Sequence, residues 1–273
     1  LISKDLHAVV TIDVNRDGHD EIIAVDGNID VFLCVGSMDP WKIHRIGSLP
    51  KASHSIGAQG HIKAQLIPGN AYEVVMTAGK GTYAFKAPPQ IFSDWPVMHV
   101  TERTSDEAVD VADINGDGKP DVVGSFGETH EVFWFENPGS FTDDWKMHKV
   151  AAVNNQNNYL DRIASADFDG DKRPDIVITE ENQGGPASVM VFLNPGKSSG
   201  DWPSQILTKQ FTTNSMSVGD IDKDGDSDII TAEHRGPKRL TLWENVGKGK
   251  FRPYILDHGK ESHNGAKLVD LDG

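Results

Sequence analysis

Asp113, Asn115, Asp117 and Asp121 stand at positions one, three, five and nine of the run Asp113-Ile114-Asn115-Gly116-Asp117-Gly118-Lys119-Pro120-Asp121. Oxygen-bearing side chains at that spacing suit a hard divalent cation, calcium rather than zinc. Gly116 and Gly118 supply the backbone freedom that turns those oxygens inward. The pattern recurs as Asp167, Asp169, Asp171 and Asp175, and as Asp220, Asp222, Asp224 and Asp228. Asp13, Asn15 and Asp17 repeat it with Glu21 in the ninth place, and Asp270-Leu271-Asp272-Gly273 begins a further copy. The carbonyls at position seven, on His19, Lys119, Arg173 and Asp226, would complete each shell at about 2.3–2.6 Å. One such loop reads equally well as a solvated turn, whereas four full copies read as metal sites.

The elements around these loops follow from the same pattern. An EF-hand is excluded, because Gly124 holds position twelve, where that motif needs a bidentate Glu. Each loop also runs into β-branched residues, such as Val122-Val123 and Ile176-Val177-Ile178, which favour a strand over a helix. Loops start at residues 13, 113, 167, 220 and 270. The last three spacings are 54, 53 and 50 residues, and the first is 100, about two periods. A worn copy is therefore expected near residues 64–76, where only Glu73 keeps an acid, and it is expected to bind no calcium. Within each period a small-residue strand precedes the loop and a β-branched strand follows it. An aromatic strand comes next and ends in a turn, such as Asn137-Pro138-Gly139 or Asn194-Pro195-Gly196. A fourth strand then opens on Trp41, Trp95, Trp145, Trp202 or Phe251. Four strands in about 50 residues is the period of a β-propeller blade. The Trp series reads as packing between blades rather than as a set of sugar platforms.

The chain has 273 residues and a net charge of −15, enough length to bury a large core. Four calcium ions would bring eight positive charges, and −15 + 8 leaves −7, so most of the acidity is metal-site chemistry. Such a balance argues against a nucleic-acid partner, which needs a basic surface. Cys34 is the sole cysteine, so no internal disulfide forms, and its apolar surroundings point to a buried, inert thiol. No apolar run is long enough to span a bilayer as a helix. A start at Leu1 without a signal-peptide pattern implies a processed chain or a fragment. Calcium sites of this kind suit millimolar calcium and hence a secreted or cell-surface (extracellular or periplasmic) location.

The D-x-[DN]-x-D-G-x-x-[DE] loops, the Trp134-Phe135-Glu136-Asn137-Pro138-Gly139 turn and the Trp145-Lys146-Met147-His148 strand resemble FG-GAP/VCBS-repeat β-propellers. That resemblance covers essentially the whole chain. It implies an all-β fold of four-stranded antiparallel blades, in one propeller domain over residues 1–273. The blades are expected at 1–52, 53–105, 106–156, 157–211 and 212–261, with 262–273 starting another. Seven blades are usual in the family, so the chain is expected to be a piece of a longer protein or to close in another way. Family members include fungal lectins, polysaccharide lyases, sugar dehydratases and integrin-type heads.

By that analogy the calcium loops share one face, and the opposite face is the expected ligand side. Residues at blade crossings and in loops between second and third strands would supply it. A uronate lyase needs a base for the C5 proton and a cation for the carboxylate. His61, Tyr159 and His234 offer the base, and Arg162 and Arg235 the cation. His54, Glu107, Asp161, Asn214 and His263 are the expected ligand-binding residues. The bland alternative makes each an ordinary loop residue, with Arg162 merely pairing an acidic neighbour. Two functions follow as expectations. One is a monomeric, secreted, calcium-binding propeller that binds or eliminatively cleaves acidic polysaccharide. The other is a non-catalytic module for a protein partner.

Overall fold

The computed structural model describes residues 6–26, 30–36, 41–50, 59–67, 72–79, 81–103, 108–126, 129–140, 142, 144–153, 158–182, 185–196, 200–260 and 268. For residues 6, 7 and 59–62 it describes the backbone only. The described chain is all-β: twenty strands in five four-stranded antiparallel sheets, each a meander in sequence order. This is the blade unit expected from the repeat.

The first sheet is β1 (Leu6–Ile12), β2 (Glu21–Asp26), β3 (Asp30–Val35) and β4 (Lys42–Ser48), and the second is β5 (Gln59–Ala64), β6 (Glu73–Ala78), β7 (Gly81–Lys86) and β8 (Val97–Thr101). The third is β9 (Val109–Ala112), β10 (Asp121–Phe126), β11 (Glu131–Glu136) and β12 (Lys146–Ala152). The fourth is β13 (Tyr159–Ala166), β14 (Asp175–Glu181), β15 (Ala187–Phe192) and β16 (Ser204–Gln210). The fifth is β17 (Thr213–Gly219), β18 (Asp228–Glu233), β19 (Leu240–Asn245) and β20 (Phe251–Asp257). Among the described residues no helix is long and apolar enough to cross a membrane.

The chain divides into two compact units. One holds residues 1–111, 119–122 and 135–147; the other holds 112–118, 123–134 and 148–273. In the first unit Ile23, Leu33, Val74, Met76 and Phe85 form one buried cluster across the first two sheets. In the second unit Phe168, Val177, Val191, Ile229 and Trp243 do the same for the fourth and fifth. Middle strands read as continuous apolar or β-branched runs because both faces are covered. All six residues of β6 and of β15 are buried.

The Trp series packs between sheets, as the sequence implies. The Trp95 backbone N–H donates to the Ile46 carbonyl of the preceding sheet at 2.9 Å, and Trp145 does the same to Val100 at 3.0 Å. In the second unit Trp202 donates to Val150 at 2.9 Å. These three indoles are buried, and Trp41, which opens the same strand of the first sheet, is exposed.

Candidate functional site

The acidic loops join first to second strands and share one backbone. Positions four and six take a left-handed conformation in every copy: Arg16 and Gly18, Gly116 and Gly118, Gly170 and Lys172, Lys223 and Gly225. Two such bends curl the chain so that its side-chain oxygens face inward. The hydrogen bonds repeat too. The position-one carboxylate accepts the amide of position five: Asp17 to Asp13 at 3.0 Å, Asp117 to Asp113 at 3.0 Å, Asp171 to Asp167 at 3.1 Å, Asp224 to Asp220 at 3.1 Å. Its second oxygen accepts the amide of position six. The oxygen of position three also takes the position-five amide: Asn15, Asn115, Asp169 and Asp222 all do so.

Position nine behaves differently. Glu21, Asp121, Asp175 and Asp228 are all buried. In the fourth sheet one Asp175 oxygen accepts the Phe168 N–H at 2.8 Å and the other the Asn194 N–H at 2.7 Å. Asp228 repeats this with Ile221 at 2.9 Å and Asn245 at 2.8 Å. Asp121 accepts Asn137 at 2.8 Å, and Glu21 accepts Val14 at 2.9 Å. The asparagine of the third-strand turn then reaches the preceding sheet. Asn137 Nδ2 donates to the Leu66 carbonyl at 2.6 Å, Asn194 to Ile114 at 2.9 Å, and Asn245 to Phe168 at 2.8 Å. The ninth residue is thus a mechanical joint between loop, turn and neighbouring sheet.

Carboxylate oxygens of Asp167, Asp169 and Asp175 lie within 4.8 Å of one another, as do those of Asp220, Asp222 and Asp224. Burial pushes the Asp175 carboxyl up to about 6, against the pull of the Asn194 and Phe168 N–H groups and with added repulsion from Asp169 and Asp171. Burial and the Asp171 charge raise Asp169, and burial raises Glu21. Burial and neighbouring carboxylates thus both disfavour the charged form of these groups, with Arg173 opposing them at Asp169. An all-oxygen, mostly anionic donor set of this size fits calcium and does not fit zinc. Arg173 also places its guanidinium on the Asp171 carboxylate, so a cation there would compete with it.

At the other end of the fourth and fifth sheets, several residues singled out from the sequence come together. A bulge between Leu160 and Ile163 places Asp161 and Arg162 outside the ladder, and one between Thr213 and Ser215 does the same for Asn214. Bulges re-aim side chains in this way. Arg162 donates to Asp161 at 2.8 Å and to the Asn214 carbonyl at 3.0 Å. Asp161 and Asn214 are buried, and Asn214 Oδ1 has no hydrogen-bond partner. Tyr159 opens β13 opposite Glu181 and is 58% exposed. Arg235 lies 3.8 Å from Glu181, and the His234 N–H donates to the Thr212 carbonyl at 2.9 Å. Both arginines proposed as sugar-carboxylate grips therefore have acidic partners of their own. His54, Glu107 and His263 lie outside the described residues, and of His61 only the backbone, within β5, is described.

A family model described as FG-GAP-like repeat matches residues 113–178 and 167–231. The chain carries FG-GAP-like repeats. Both matches open on the first acid of a loop, Asp113 and Asp167, so they start one loop-to-loop period apart. Among solved structures, the chain is similar to an Agrocybe aegerita lectin described by its recognition of non-reducing terminal N-acetylglucosamine. The TM-score is 0.61 at 19% identity, over 93% of this chain and 66% of that one. At that identity the likeness is one of fold, and the chain spans just under two thirds of the lectin's length. No curated protein matches the chain by sequence.

Sequence reasoning about the FG-GAP-like repeats missed a second acidic series. Asp26, Glu180 and Glu233, at or near the ends of their second strands, are buried. Each accepts a backbone amide at or near the start of the third strand, from Asp30, Ser188 and Arg239. These acids recur five residues after position nine, and that spacing is the signal that could have found them. Phe211 was also missed, because it sits in no repeated motif.

Proposed function

We propose that the chain is a calcium-loaded, carbohydrate-binding β-propeller module working outside the cell. The observation that carries this reading is the polar surface at the ends of the fourth and fifth sheets away from the acidic loops, where Asp161, Arg162 and Asn214 form one hydrogen-bonded group and Tyr159 and Arg235 flank Glu181 as another. They come from separate stretches of chain and combine an exposed aromatic ring with donors and acceptors, the mixture that sugar recognition uses. The fold likeness to a lectin supports it. Calcium in the loops of residues 13–21, 113–121, 167–175 and 220–228 would fix the loop ends of the sheets. The carboxylates at positions one, five and nine, the Asp or Asn oxygen at position three and the carbonyl at position seven would hold it.

The finer reading concerns acidic polysaccharide and its elimination. Arg162 and Arg235 are engaged by Asp161 and Glu181, so a uronate would have to displace an internal carboxylate, whereas an uncharged sugar would use the pairs as they stand. That favours binding of neutral saccharide over lyase chemistry. The test is a panel of neutral and acidic saccharides titrated in millimolar calcium. Binding of neutral members without unsaturated products from acidic ones is expected. An unsaturated product that disappears in Arg162→Ala would overturn the neutral reading in favour of the lyase. Silence across the whole panel would overturn the carbohydrate reading itself.

A further inference from the structure

We propose that Phe211 is the stacking platform of this carbohydrate site, taking the C–H face of one uncharged pyranose ring. The proposal rests on the carbohydrate reading above and locates its hot spot.

Phe211 connects β16 to β17 and is 41% exposed. A phenyl ring on a crossing would ordinarily be mobile, since connections carry few restraints. Here the backbone on both sides is held, with Gln210 before it paired to Ala187 in the ladder. The Asn182 N–H donates to Thr212 Oγ1 at 2.8 Å, and that hydroxyl donates back to the Asn182 carbonyl. The Thr212 carbonyl takes the His234 N–H, so both flanking hairpins grip the residue next to Phe211. Thr213 Oγ1 donates to the Phe211 carbonyl at 3.3 Å.

One face of the ring, at its Cγ end, rests on Gly236. A Cβ at that glycine would come within 2.2 Å of two ring carbons, and its φ is +70°. No other residue would let the chain pass so close in that conformation. The ring is therefore backed by bare backbone, with part of its surface left to solvent. Beside it, Arg235 follows His234 and pairs with Glu181, and Tyr159 sits across the ladder from Glu181. A pre-set aromatic surface bordered by a donor–acceptor pair matches a pyranose, which has an apolar C–H face and a rim of hydroxyls. Because the ring is fixed before binding, little ordering cost is left for the complex.

The test uses the full chain in calcium and the methyl glycosides of glucose, galactose and N-acetylglucosamine, by calorimetric titration. Phe211→Ala is expected to weaken the best binder about tenfold, the worth of one aromatic contact, with an unchanged melting temperature. Phe211→Trp should retain binding. Phe211→Leu, which keeps apolar bulk without a ring, should lose it even if the alanine variant folds poorly. Parent-like binding in Phe211→Leu or Phe211→Ala would overturn the platform and leave the carbohydrate reading standing. No binding of any glycoside or panel member by the parent would overturn both.

Discussion

The second and fourth sheets carry the same joint, without and with the other loop acids around it. Glu73 and Asp175 begin equivalent second strands, are fully buried, and accept the amide seven residues earlier: Leu66 at 2.9 Å and Phe168 at 2.8 Å. Around Asp175 stand Asp167 and Asp169; around Glu73 none of the other loop acids remains. The second oxygens differ as well. Asp175 receives the Asn194 N–H, whereas Ala87 replaces that asparagine in the second sheet and gives its N–H to the Tyr72 carbonyl. Glu73 Oε1 is left buried with no hydrogen-bond partner. The shortened loop also borders a cleft of about 290 Å³ lined by Ile12, Asp13, Asp20, Lys63, Ala64, Gln65 and Tyr72. Position nine is thus kept for mechanics where the other loop acids are lost.

Removing the joint should have the largest effect. Asp175→Asn keeps one acceptor oxygen but turns an amide NH2 toward a backbone donor, leaving a buried N–H unmatched. A loss of about 2–3 kcal/mol is expected, read as a lower midpoint in denaturant, with or without calcium. A loss seen only in calcium would make Asp175 a ligand alone and erase the distinction from Glu73.

Asn194→Ala is next. It strips donors from the Ile114 and Pro174 carbonyls, for about 1–2 kcal/mol. The matching change at residue 87 has already been made by the sequence, so Ala87→Asn in the second sheet should recover part of that amount. Denaturant midpoints of both variants check the pair.

Glu73→Gln should act in the opposite direction. Burial raises the Glu73 carboxyl above its ordinary value of 4.5, so the folded state holds that proton more tightly than the unfolded chain. Its favourable contribution is complete below 4.5 and is lost as pH rises through the raised value. At neutral pH the variant should therefore be more stable by about 1 kcal/mol, with the gain fading as the pH falls to 4.5. Stability curves at two pH values decide it, and a neutral-pH loss would mean that the attraction of Lys86 for the charged carboxylate outweighs the cost of its burial.

The smallest effect is expected at Lys223, which holds a left-handed conformation at a position where Gly116 and Gly170 stand in other loops. Lys223→Gly should stabilise by about 0.5 kcal/mol, the relief of a left-handed side chain less the extra entropy of glycine. Thermal melting in calcium reads it.

Much of this architecture was legible in the sequence because a repeat displays its own period. The acidic spacing and the tryptophans that open fourth strands located the strands and the sheet-to-sheet packing. The roles inside the loop were harder to separate. A carboxylate at position nine suits a cation and two amide donors equally, and only the Asn194 and Phe168 contacts tell them apart. The turn asparagines read as local, since nothing in Asn-Pro-Gly names an acceptor 71 or 80 residues away. The pairing of Arg162 with an acidic neighbour was legible, since Asp161 precedes it in the chain, whereas Glu181 could not be assigned to Arg235, because only the fold brings the ends of the fourth and fifth sheets together. Phe211 gave no signal: its role depends on Gly236 lying against it.

The central claim is that the four acidic loops hold calcium and the worn second loop does not. Native mass spectrometry of the chelated chain, retitrated with calcium, counts the ions directly. Four per chain are expected for the parent, and three for Asp167→Asn combined with Asp169→Asn. The melting temperature should rise as the ions load, with an unfolding free energy larger by about 2.7 kcal/mol per site at a hundredfold excess over the dissociation constant. A parent that takes up no calcium at millimolar concentration, or whose count is unchanged in that variant, would contradict the account.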